Sequence, residues 1–286
     1  MEGLELSYVI SIQRLKHRLN NSQDNTVIID TRFDLMNSDA GRKAYLTDHI
    51  PEAVYMDLEK DLSGKKQKHG GNHPLPDVEM LSAKIGKIGI DHTTTVIIYD
   101  QKNDMFAARA WWLFHYLGHE KVYVLDGGYE RWKEEGNETT DVIPQLTEKQ
   151  FIPNIRSDQT VDMETVKEKV MSKSAVLIDS RSKDRYLGDS EPLYARAGHI
   201  PGAENYFWKD VLSADGKWKN KESLEKQFAN IAKDEEVIVS CGSGVSACPN
   251  ILALKSLGYK NVKLYPGSFS DWISYEKNEV AIGEES

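Results

Sequence analysis

The sequence predicts an α/β fold of two similar halves, each a parallel β-sheet flanked by helices on both faces. Three observations carry this. Short apolar runs rich in Val and Ile alternate with stretches of helical periodicity, the pattern of strands buried between helix layers. The order of elements then recurs: Asp30-Thr31-Arg32 is matched by Asp179-Ser180-Arg181, and His49-Ile50-Pro51-Glu52-Ala53 by His199-Ile200-Pro201-Gly202-Ala203. Leu117-Gly118-His119 and Leu257-Gly258-Tyr259, each just before a strand, make a third match, so the chain reads as a tandem duplication.

In order, Tyr8 to Asn20 has helical spacing, and a turn-like segment over 20–25 precedes a strand at Val27–Ile29. A polar loop and the first His-Ile-Pro segment follow. Residues 63–76, rich in Gly, Lys, His and Pro, form an irregular loop. Helix is expected over 78–88, strand over 96–99, helix over 106–117, strand over 122–125 and a short helix over 129–135. The second half repeats this with helix over 161–172, strand over 175–178, a loop carrying the second His-Ile-Pro, helix over 223–231 and strand over 237–239. Helix over 245–257, strand over 262–265 and a closing segment over 267–272 complete it. The expected division is a domain over 1–140, a polar, proline-containing linker over 141–158, and a domain over 159–286. A cleft between the halves is expected to hold the chemistry.

Composition excludes several classes. The chain has 286 residues, 40% hydrophobic and 28% charged, with no apolar run near the roughly 20 residues of a membrane span. A net charge of −9 with no basic stripe argues against nucleic acid as a partner. Two cysteines, Cys241 and Cys248, are too few for a disulfide framework or a thiolate zinc site, and the eight histidines show no metal-ligand spacing. No basic-then-apolar start marks a secretory signal, so the expected compartment is the cytoplasm. No metal or organic cofactor is expected.

The stretch Val237 to Asn250 concentrates the chemistry. A buried strand stops at Ser240, and Cys241 opens a loop with Gly242 and Gly244 that runs into a helix. Glycines free to take positive φ, together with helix N-terminal N–H groups that lack partners, favour negative charge. The reading is a thiolate in an anion-binding loop. Cys248, seven positions on, reads as a buried helical cysteine, and Pro249 requires the helix to begin near it or bend. A cysteine phosphatase would need arginine six positions after the cysteine, where this chain has Ala247.

Over nearly its whole length the chain resembles the tandem-domain rhodanese sulfurtransferases, and within them the 3-mercaptopyruvate sulfurtransferase branch. The resemblance rests on both His-Ile-Pro segments, the Asp-x-Arg strand ends, the helix with Ala108, Arg109, Trp111 and Trp112, the Leu-Asp-Gly-Gly turn and the loop Cys241-Gly242-Ser243-Gly244-Val245-Ser246. That loop is similar to the branch's Cys-Gly-Ser-Gly-Val-Thr, whereas thiosulfate-using rhodaneses typically carry Arg-Lys after the cysteine.

The resemblance implies transfer of sulfur from 3-mercaptopyruvate through a Cys241 persulfide to a thiol acceptor, such as thioredoxin or a small thiol, or to cyanide. Loop N–H groups of Gly242, Gly244, Val245 and Ser246 would hold the anion. It implies a relay of Ser243, His73 and Asp57 for the proton, and Arg185 with Arg196 for the substrate carboxylate. It also implies a silent first domain, with Asp100 at the cysteine's position, while His49, His199, Arg32 and Arg181 belong to the repeated motifs and read as structural. The remaining readings are a thiosulfate sulfurtransferase and a sulfur carrier without turnover.

Overall fold

The computed structural model describes residues 6–21 and 25–284, and the middle of the turn expected over 20–25 lies outside them. Two compact units emerge, and neither is contiguous in sequence. The first comprises Met1–Gly64, Pro76–Arg156 and Leu212–Asn220, the second Lys65–Leu75, Ser157–Val211 and Lys221–Ser286. These compact units interleave along the chain, whereas the division expected from the sequence is by consecutive stretches. Gly70 and Asn72 donate backbone N–H groups to Asp271 (2.7 Å) and the Ser270 hydroxyl (3.1 Å), which ties 65–75 to the second unit. Asn103 Nδ2 reaches the Gly216 carbonyl and Trp218 donates its N–H to Asp126, which ties 212–220 to the first. The expected linker also packs on the first unit: Lys149, Asn154 and Arg156 donate backbone N–H groups to Gly86, Leu117 and Tyr116, and Phe151 is buried.

In the first unit, β1 (Val9–Ile10), β2 (Thr26–Asp30), β3 (Ala53–Tyr55), β4 (Thr95–Tyr99) and β5 (Val122–Leu125) form one parallel sheet in the order β1-β5-β4-β2-β3. Its helices are α1 (Ile12–Leu19), α2 (Ala40–Thr47), α3 (Val78–Lys87), α4 (Met105–Tyr116) and α5 (Gly128–Glu134). The helix expected from Tyr8 begins only at Ile12, capped by the Ser11 side chain, because Tyr8 and Ile10 accept N–H groups from Val124 and Asp126. Edge pairing wins there over helical periodicity. In the expected polar loop after β2, the sequence instead builds α2.

The second unit repeats the design. Strands β6 (Val176–Asp179), β7 (Ala203–Asn205), β8 (Val237–Ser240) and β9 (Val262–Leu264) form a parallel sheet in the order β7-β6-β8-β9. Helices α6 (Met163–Ser172), α7 (Lys183–Leu187), α8 (Lys221–Gln227), α9 (Cys248–Ser256) and α10 (Ser268–Trp272) complete it. All four β8 residues are buried, as a strand covered on both faces requires. Helix α7 lies in the stretch expected as loop. Helix α9 starts three residues later than expected, because Pro249 lacks an N–H and fits only the first turn.

The duplication extends to single hydrogen bonds. Arg32 and Arg181 each grip the aspartate two residues earlier and donate to the carbonyl before the histidine, Asp48 or Gly198. His49 and His199 each bond a tyrosine carbonyl and stack on that ring, Tyr45 or Tyr186, whose hydroxyl donates to Ala53 or Ala203. The His-Ile-Pro and Asp-x-Arg motifs thus tie β2 to the edge strand β3 and β6 to the edge strand β7. Among the described residues no helix is long and apolar enough to cross a membrane.

Candidate active site

Cys241 is the first residue beyond β8, and only 1% of it is exposed. Its strand end is pinned by the Ser180 N–H on the Ser240 carbonyl (2.9 Å) and by the Ser240 hydroxyl on Ile178 (2.9 Å). Below the loop, Asn250 of α9 donates to the Ser180 hydroxyl and the Tyr206 carbonyl, so the loop spans two fixed points. The Gly244 N–H points at the Cys241 sulfur at 3.1 Å. Gly244 has φ of 79°, and a Cβ there would collide with the Pro266 carbonyl. Gly242 does not adopt positive φ, contrary to expectation. An added Cβ there would lie 2.5 Å from the Tyr194 hydroxyl, so a side chain at 242 would push that phenol aside. Val245 accepts the Cys248 N–H (3.1 Å) as the loop turns into α9, and Ser246 is half-buried. Cys248 is fully buried, with its thiol 3.5 Å from the Gly244 carbonyl.

Ser268 escaped the sequence reading. Its hydroxyl accepts the Cys241 N–H at 3.1 Å and donates to the Tyr265 carbonyl at 2.8 Å, leaving its oxygen 3.9 Å from the sulfur. It does so from φ of 52°, a left-handed conformation that costs a side chain about 1 kcal/mol or more. The repeat offered a signal, since the first unit has Gly128 at the matching position with φ of 61°.

Of the expected relay, the structure brings two members together: His73 Nδ1 lies 2.8 Å from the Ser243 hydroxyl, both half-buried. Asp57 belongs to the first unit. Its Oδ1 accepts the backbone N–H groups of Glu59 and Lys60, while its Oδ2 is buried without a hydrogen bond among the described residues.

The two expected anion-binding arginines have separate surroundings. Arg185 makes a bidentate pair with Glu191 at 2.8 and 3.2 Å, and Glu191 also takes Arg181 Nη1 at 3.2 Å. The two guanidinium groups share one buried carboxylate, and Arg181 is itself held by Asp179 at 2.6 Å, so two arginines face two carboxylates at this edge. Arg196 donates to the Asn278 carbonyl at 2.9 Å. Glu191 was not foreseen, because nothing in sequence spacing marks it as the shared partner.

Asp100 holds the position in the first unit that Cys241 holds in the second. The Tyr129 N–H bonds the Asp100 carbonyl as the Phe269 N–H bonds that of Cys241 (2.9 and 3.0 Å). The Asp100 carboxylate fills its own loop by accepting N–H groups of Asp104 and Ala107 (both 2.9 Å). Burial, and then the Asp104 charge, raise its pKa. Among the described residues no group of three or more His, Cys, Asp and Glu is placed to hold a metal.

Two duplicated parallel-sheet units, one with a cysteine loop at a strand's C-terminal end, define the class: the chain belongs to the rhodanese-like domain family, which matches residues 11–135 and again 162–275. It is similar to a probable 3-mercaptopyruvate sulfurtransferase of Pseudomonas aeruginosa, at 36% identity over 96% of this chain and 98% of that protein. It is similar also to a putative thiosulfate sulfurtransferase, SseB, of Mycobacterium tuberculosis, at 36% identity over 91% and 92%. The crystal structure of SseA from Escherichia coli, described with the catalytic mechanism of 3-mercaptopyruvate sulfotransferases, superposes with a TM-score of 0.81. That match is at 31% identity and covers 92% of this chain and 99% of that one.

Proposed function

We propose that this protein is a sulfurtransferase that takes sulfur from 3-mercaptopyruvate onto Cys241 and passes it to a thiol acceptor or to cyanide. The observation that carries the reading is a buried cysteine sulfur facing the Gly244 N–H, in a loop whose serine is paired with a histidine and which has no charged side chain from Gly242 to Ala247. The Cys241 thiolate attacks the donor's thiol sulfur, and the S–C bond breaks toward the enolate of pyruvate. The proton of the new S–SH group passes through the Ser243–His73 pair to the enolate carbon. This leaves a persulfide anion beside the Gly244 N–H, and pyruvate. Acceptor thiolate then attacks the outer sulfur and regenerates Cys241.

Arg185 is assigned to the donor's carboxylate because it is the more exposed of the two guanidinium groups on Glu191, 18% against 1% for Arg181. Arg196 is assigned as a second contact, Val245 and Ser246 as further loop contacts, and Asp57 as the third relay member; these assignments rest on the resemblance. Thioredoxin or a small thiol is the proposed acceptor, and the cytoplasm the proposed compartment, where two free cysteines are compatible with reducing conditions. A first domain over 1–140, a linker over 141–158 and a catalytic domain over 159–286 remain the proposed division by function, with Asp100 marking the first as silent.

Thiosulfate as main donor is the second reading, favoured by the 36% identity with a putative thiosulfate sulfurtransferase over 91% of this chain. Measuring kcat/KM for both donors with one acceptor separates the two. Preference for mercaptopyruvate of ten-fold or more, about 1.4 kcal/mol, is expected. Preference for thiosulfate would overturn the donor assignment, and no persulfide on Cys241 with either donor would overturn the enzyme reading.

A further inference from the structure

Tyr194 packs against the Cys241 loop at Gly242 and has no part in the chemistry above. Its phenol covers the Gly242 Cα: a Cβ built there would lie 2.5 Å from the hydroxyl oxygen and 3.4 Å from Cε2 and Cζ. The ring is held edge-on against Phe269 (centroids 6.0 Å apart), the residue whose N–H bonds the Cys241 carbonyl. On the other side the Arg185 guanidinium lies over the ring, 5.2 Å from its centroid, and is itself fixed by Glu191. An arginine has only donors to offer. Toward that guanidinium the Tyr194 oxygen can only accept, so its own proton is available to another acceptor.

We propose that the Tyr194 hydroxyl is a catalytic hydrogen-bond donor to the C2 oxygen of the α-keto acid donor as that oxygen gains enolate charge. When the S–C bond breaks, its electron pair moves into the C3–C2–O system, and the charge accumulates on the C2 oxygen until the carbon is protonated. A donor oriented beforehand at that oxygen stabilises the departing enolate, and no proton changes hands at Tyr194. Burial first, and the neighbouring Cys241 charge second, raise the phenol's pKa, so the hydroxyl keeps its proton through the neutral range. The same geometry accounts for glycine at 242, since a side chain there would displace the hydroxyl. The inference rests on the mercaptopyruvate reading.

The test compares persulfide formation on wild type and Tyr194→Phe in single turnover with each donor, detected by mass and by release of pyruvate or sulfite. Phe keeps the ring, its contact with Phe269 and its place over Gly242. Loss of one oriented donor is expected to slow loading from mercaptopyruvate about 100-fold. Loading from thiosulfate, whose leaving sulfite contains no carbonyl, should change by less than about 3-fold, and this reaction also reports that the variant's site is folded. Equal losses with both donors, or an undiminished rate with mercaptopyruvate, would overturn the role. A wild type that loads from thiosulfate alone would instead overturn the donor reading, and the role with it.

Discussion

His73 meets Ser243 at 2.8 Å across 170 residues of sequence, within one compact unit, because 65–75 is pinned to the turn and helix that follow β9. The pairing reaches the second residue after Cys241, where an oxygen can face a donor sulfur. His69 secures the same strap through the Ser274 hydroxyl (2.7 Å) and a stack on Tyr275.

If the pair acts as one unit on the proton, its substitutions will not add. Ser243→Ala and His73→Ala are each expected to lower kcat with mercaptopyruvate about 10-fold, and the double variant little further, the coupling that contacting residues show. Losses that multiply to about 100-fold, or equal losses with thiosulfate, would separate the two residues from proton transfer.

The two arginines around Glu191 are predicted to fail differently. Arg181 is 1% exposed and compensates Asp179 and Glu191, so Arg181→Met strands buried carboxylates and should destabilise the fold by about 3–5 kcal/mol. Arg185 is 18% exposed, and Arg185→Ala should raise KM for mercaptopyruvate about 10-fold with a small change in stability. Urea unfolding read beside initial rates checks both. An unchanged KM would remove Arg185 from the substrate's carboxylate.

Stability should also carry a pH signature from the first unit. His119 is buried between Phe114 and Phe151, and burial, followed by the His92 charge, lowers its pKa to about 4. The folded protein thus binds fewer protons there than the unfolded chain between pH about 4 and 6.5. The contribution is intact above pH about 6.5 and declines as pH falls toward 4, by up to about 3 kcal/mol. In urea titrations at stepped pH, His119→Gln should flatten that acid limb, and an unchanged slope would assign it to other groups.

Much of this architecture could be read in advance, and the exceptions share a cause. Periodicity located most strands and helices, since burial between two helix layers demands unbroken apolar runs. It failed at Val9 and Ile10, where pairing with β5 overrides helical spacing, and at the start of α9, where the loop consumes Val245 to Ala247. Gly244 meets the conformational demand foreseen for it, whereas Gly242 answers to a neighbour, Tyr194, that spacing could not reveal. Ser268 was detectable as a departure from Gly128 in the repeat; Glu191 had no such signal.

The amino-acid sequence by itself determined the duplication, the strand-and-helix order and the placement of a lone nucleophile after a buried strand. Those features depend on local periodicity, steric punctuation and residue chemistry. Only the tertiary structure decided the contacts of the cysteine loop: the Gly244 N–H and the Ser268 hydroxyl at the sulfur, His73 on Ser243, and the Tyr194 phenol over Gly242. Hydrogen bonds and buried ion pairs are settled over about 3 Å in space, and chain separation places no limit on which groups meet there.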